Sequence, residues 1–157
     1  MLPAKLFAGL ALAFSIFTGL AWVFVSPSAD VTAPHLATGR GAFFAFEPVL
    51  VPLFCAVTSL NFAVLYYAGG RILHAQWNRT LSLLHFALSV CGAASGSIVF
   101  PMAAHYGNGS NAGETALRWV FIPLLLGILS FVASYVIFAI SLMSVVIQVV
   151  RARFATR

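Results

Sequence analysis

The sequence predicts an all-α integral membrane protein of four transmembrane helices with both termini cytoplasmic, and three observations lead there. Hydrophobic residues make up 62% of the 157-residue chain and charged residues 7%, against roughly 25% charged in a soluble globular domain. The apolar residues gather into four runs, at about 2–25, 42–69, 81–102 and 118–150, each long enough for a hydrocarbon core that about 20 residues of helix can cross. The basic residues divide unevenly between the two sides that four spans define. Lys5, Arg71, Arg79, Arg151, Arg153 and Arg157 fall on one side, and Arg40 and Arg118 on the other with the acids Asp30, Glu47 and Glu114. By the positive-inside rule the first side is cytoplasmic, which in a bacterium makes this a multi-pass protein of the inner membrane.

The net charge of +5 does not point to nucleic acid. A nucleic-acid surface clusters its basic residues in stripes with polar surroundings, whereas here they stand singly between apolar runs. The expected partners are membrane lipids and other transmembrane subunits. Cys55 and Cys91 both lie inside apolar runs, where two buried thiols are expected rather than a disulfide. No histidine or cysteine spacing matches a zinc or iron–sulfur site.

The first span, Leu2–Val25, carries Lys5 near its start. Lys5, the apolar core and the small residues Ser26, Ser28 and Ala29 have the layout of a signal peptide, but the core exceeds the roughly 7 to 15 residues of such a segment, so a retained span is expected. Ser26–Gly41 reads as a polar connection broken by Pro27 and Pro34. In the second span Pro48 and Pro52 predict a kinked entry, and Thr58, Ser59 and Asn61 form a polar patch. Intramembrane amides usually face another helix, so Asn61 is expected at a helix–helix contact.

A short turn carrying Arg71, His74 and Arg79 leads to the third span, whose centre reads Gly92-Ala93-Ala94-Ser95-Gly96. Glycines at i and i+4 let a second helix approach backbone to backbone, so Gly92 and Gly96 are expected at a close contact. His105–Leu117 is rich in glycine and asparagine and reads as a loop; Asn108-Gly109-Ser110 matches a glycosylation acceptor, but the loop reading is preferred. The last run, at 1.5 Å per residue, makes about 50 Å of helix against a core of about 30 Å. It must tilt, bend near Pro123 or project from the membrane. Ser130 and Ser134, with Ser141 and Ser144 beyond, predict a face packed on other helices. Trp22, Trp77 and Trp119 lie near span ends, as interfacial belts require.

Read on this topology, Tyr66, Tyr67, Asn78, Leu81, His85, Phe86 and Gly92 stand in an order and spacing that resembles a C-terminal portion of subunit I of the heme-copper oxidases. In that family a late helix ends in a tyrosine pair and the next opens with His-Phe. Phe100, Pro101 and His105 are present but displaced by a few residues, and the similarity covers about residues 49–105. Where the family places heme-ligand histidines this chain has Phe46, Glu47, Pro48, Val49 and Leu50. Without axial ligands or a copper-binding histidine set, the resemblance implies a related fold and a bioenergetic setting, not oxygen reduction.

Three functions compete. A non-catalytic accessory subunit of a respiratory or photosynthetic electron-transport complex is the preferred expectation: the packing features are many, and no residue set is sufficient for catalysis or for holding a cofactor. Bound lipid or pigment is compatible with it. A small b-type heme protein is the second reading, because the topology allows two bis-histidine pairs, His85 with His74 and His35 with His105. A transporter or channel component is the third, disfavoured by spans without a midplane charge or an internal repeat.

Overall fold

The computed structural model describes residues 2–25, 39–74, 76–106 and 111–155. Four helices account for these residues apart from the turn at 72–78: α1 (Leu2–Val25), α2 (Gly39–Arg71), α3 (Arg79–Tyr106) and α4 (Asn111–Ala155). All four are long and apolar enough to cross a membrane, over Leu2–Val23, Val49–Arg71, Arg79–Ser97 and Phe121–Phe154.

The helices run further than the apolar runs predict. α2 begins at Gly39, inside the expected connection, and α4 begins at Asn111 rather than at about 118. Much of the expected 105–117 loop is therefore helical. Hydropathy finds the membrane-embedded part of a helix only, whereas Ala112, Ala116 and Leu117 are strong helix formers that extend it into polar surroundings. At 45 residues, α4 is about 68 Å long and exceeds any bilayer core. Helix continues through Pro48, Pro52 and Pro123.

Side-chain contacts set the directions. The start of α1 meets the end of α2 where Phe7 packs on Phe62 and Tyr66, so these helices are antiparallel. α3 and α4 are antiparallel too, since His85 near the start of α3 touches Phe138 and Gly92 abuts Phe131. α2 and α4 run the same way, with Phe54 against Phe131 and Phe62 against Phe138. The result is an up-down-up-down bundle, the arrangement short connections favour.

The buried stripe of α4 reads Gly127, Phe131, Ser134, Phe138, Ser141, Val145, of which only Phe131 is half-exposed. It alternates small and large residues at four-three spacing, the pattern that lets facing layers interdigitate. α3 presents Ser82, His85, Ser89 and Gly92 at the same spacing, all buried. Lipid tails are as apolar as leucine, so close packing rather than water exclusion holds such a seam together. A Cβ on Gly127 would stand 2.3 Å from Cβ of Ser95, and one on Gly92 2.8 Å from Cβ of Phe131. Both positions therefore exclude a side chain.

Candidate functional site

Among the described residues, His85 and Tyr66 combine ionisable chemistry with near-complete enclosure, at the end of the bundle where α2 turns into α3. Four-three spacing aims His85 into the seam, and it is fully buried. Tyr66 shares a face of α2 with Ser59 and Phe62, all buried, and its hydroxyl lies 2.9 Å from His85 Nδ1. His85 Nε2 has no hydrogen-bond partner, and neither does Oγ of Ser82, one turn before it. Either group can donate in this contact, depending on which imidazole nitrogen carries the proton.

Aromatic rings close the space around the pair. Phe7, Phe62 and Phe138 lie 4.7, 4.4 and 5.2 Å from the imidazole centroid, with Phe62 perpendicular to it at 89°. An edge-to-face ring offers an N–H group the weak acceptor of a π face. Phe7 also stacks on Tyr66 at 5.6 Å and meets Phe86 edge-on at 5.4 Å.

The turn at 72–78 completes the enclosure. The Trp77 indole N–H donates to the carbonyl of Tyr66 at 3.1 Å, and its ring lies 4.5 Å from the phenol ring. The indole sits directly over Gly69, where a Cβ would come within 2.5 Å of it. Trp77 thus serves the interior as well as a helix end, beyond the belt position expected of it. His74 takes a left-handed φ of 52° where the chain leaves α2. Asn78 caps α3, its Oδ1 accepting from the N–H groups of Thr80 and Leu81 at 3.0 and 3.2 Å. The Gln148 side chain of α4 holds the backbone of Gln76, accepting from its N–H and donating to its carbonyl, each at 3.3 Å.

These contacts give local roles to residues that carry the resemblance: Tyr66 and His85 pair, Phe86 packs edge-on against Phe7 beside them, Asn78 is a helix cap and Gly92 a helix contact. Tyr67 points outward and is half-exposed. No protein-family model, curated protein or solved structure matches this chain.

The remaining sequence-derived candidates divide. His85 is enclosed while His74 is exposed in the turn, and no hydrogen bond or ring contact joins them, so the structure does not present them as an axial pair. His35 and the side chain of His105 lie outside the described residues. No group of three or more His, Cys, Asp or Glu is close enough to hold a metal ion among the described residues. Gly96 lies near α2, with Val51 Cγ1 3.4 Å from the position of a Cβ. Ser134 is fully buried and donates to the Phe131 carbonyl at 2.7 Å, while Ser130 is half-buried. Cys55 is buried, but Cys91 is exposed and both are free, so the expectation of two buried thiols holds for one.

Asn61, expected to face another helix, meets none within this chain: it is exposed on the outer face of α2 and has no hydrogen-bond partner among the described residues. Neighbouring Ser59 and Phe62 are the buried ones. The α2 face toward α3 and α4 is set by Cys55, Phe62 and Tyr66, which lie more than a quarter of a turn from Asn61 around the helix. The Tyr66–His85 pair, conversely, escaped sequence reasoning. Its one signal was that both residues sit on the small-or-aromatic stripe of their helices.

Proposed function

We propose that this chain is a non-catalytic, multi-pass accessory subunit of a larger complex in a bacterial inner membrane, with both termini cytoplasmic. The observation that carries this reading is the sealing of the Tyr66–His85 pair. Among the described residues a histidine and a phenol stand in contact, and their burial at 0% and 2% exposure behind Phe7, Phe62 and Phe138 leaves no opening for a substrate. A catalytic acid or base must reach the proton it transfers. In this position the pair instead ties α2 to α3 by a buried hydrogen bond.

The surface supports the second half of the proposal. α4 is far longer than a bilayer needs, and large apolar residues remain exposed along it, among them Phe121, Leu126, Val132 and Met143. Such a helix offers lateral surface to neighbouring subunits, pigments or lipids. The resemblance of residues 49–105 to heme-copper oxidase subunit I supports an electron-transport setting, and the charge asymmetry supports the orientation.

Isolation from native membranes in mild detergent tests the role. The chain should co-purify in fixed ratio with redox-active subunits, and its deletion should lower the amount or stability of that complex while leaving turnover per intact centre unchanged. A Soret band on the purified chain, or quinol or oxygen turnover by it alone, overturns the reading. Cysteines introduced at Ser28 and Ser110 should label from the periplasm and one at Arg153 from the cytoplasm; the reverse pattern overturns the orientation.

A further inference from the structure

We infer that α2 pairs with α2 of a second copy of this chain, the two Asn61 carboxamides bonding each other near the middle of the bilayer. The inference goes beyond the accessory role and does not rest on it, since a dimer can stand alone or within a larger complex. Asn61 lies near the centre of the span Val49–Arg71, exposed and without a hydrogen-bond partner among the described residues. A carboxamide facing hydrocarbon leaves two donors and an acceptor unsatisfied. At that depth it is too far from either headgroup layer to reach water with its short side chain, so its partner must be another transmembrane segment.

The chemistry of the group selects the partner. Two copies inserted in one membrane share one orientation, so two α2 helices meeting face to face run parallel, and residue 61 of one comes opposite residue 61 of the other at the same depth. A carboxamide carries donor and acceptor together and is complementary to itself. Each Asn61 therefore satisfies the other about a two-fold axis, as an isologous interface requires. A different protein would have to bring its own polar group to that depth, and nothing in the chain calls for one.

The surrounding face fits the same geometry. Leu50, Phe54, Val57, Asn61, Val64 and Ala68 follow one another at four-three spacing, all exposed except half-buried Ala68. This is the spacing of a left-handed parallel pair, in which a single polar residue within an apolar seam fixes register and partner number. The face lies opposite the buried face of α2, and the bundle reaches only its borders, where Phe54 meets Phe131 of α4 and Val64 lies beside Ala4 and Ala8 of α1.

Cysteine cross-linking of the full-length chain in its native membrane, with Cys55 and Cys91 replaced by alanine, tests the inference. Val57→Cys and Ala68→Cys lie on the seam, while Tyr67→Cys is exposed beside it and serves as the control. The two seam variants should form a disulfide-linked species of twice the chain mass, and the control should not. Asn61→Leu should lower the linked fraction at fixed lipid-to-protein ratio by about three- to thirty-fold, the range for one interhelical hydrogen bond in a membrane, and Asn61→Gln should retain it. Failure of both seam positions to link, equal linking at Tyr67→Cys, linking only to a protein of another mass, or an unchanged yield in Asn61→Leu each overturns it. So does loss of the monomer's own thermal transition in Asn61→Leu, because that would place the amide inside the bundle.

Discussion

The two ends of the bundle are built on opposite principles. Around His85, rings from α1, α2, α3 and α4 converge: Phe7, Phe62, Tyr66, Phe86 and Phe138, with Trp77 of the turn. Toward the other end Gly92 and Gly127 strip the α3–α4 contact to backbone and short side chains, so that these two helices touch at Ser95 and Phe131. Aromatic rings bridge three or four helices at once because each reaches several ångströms from its backbone. Glycines bring together only two helices, and the third is left at a distance. A crevice of about 180 Å³ remains where α2 faces that contact, lined by Val51, Phe54, Cys55, Gly96, Leu124 and Ile128 among others. In a membrane, where packing rather than water exclusion drives association, the aromatic end should therefore hold the four helices as a unit and the glycine end should hold only one pair.

Substitutions can break or sharpen that contrast, read as shifts in detergent unfolding transitions. His85→Ala should have the largest effect. Truncating an enclosed ring leaves a cavity, on the scale of about 3–5 kcal/mol for aromatic residues, and it orphans the Tyr66 phenol. His85→Phe keeps the ring volume and should lose about 1–3 kcal/mol, the cost of leaving the buried phenol without a hydrogen-bond partner. Combining it with Tyr66→Phe should then recover part of that loss, since both partners are gone.

Gly127→Leu should follow, at about 1–3 kcal/mol, because a side chain there collides with Ser95 and forces α3 from α4. If it costs more than His85→Ala, the glycine end is the anchor and the contrast is reversed. Gly96→Ala should be the mildest, within about 0.5 kcal/mol, since its new methyl borders the crevice and meets only Val51 at an ordinary distance. A large destabilisation at Gly96 would mean that the crevice is closed in the membrane.

Much of the fold was legible from local features. α1 begins and ends where its apolar run does, and α3 begins at Arg79, close to the predicted Leu81. α4 starts earlier than its apolar run because alanines and a leucine sustain a helix across a stretch whose glycine and asparagine are loop signals. The site was less legible. Spacing alone marks Gly92 and Gly96 and names no partner for them, and a histidine in a span suits heme ligation and a buried hydrogen bond equally until its neighbours are known. Its neighbour Tyr66 lies in a different helix, and nothing in the linear pattern joins the two.

By itself the sequence determined the number of helices and their apolar extent, because hydropathy, length and helix propensity belong to consecutive residues and need no partner. Only the tertiary structure decided which way each polar residue faces. That depends on the rotation of each helix about its axis, which is set by contacts between residues far apart in the chain: Gly127 on Ser95, Gly92 on Phe131, Trp77 over Gly69. The rotation that seats these contacts carries His85 and Tyr66 inward to meet each other and turns Asn61, a few residues from Tyr66, out toward the membrane.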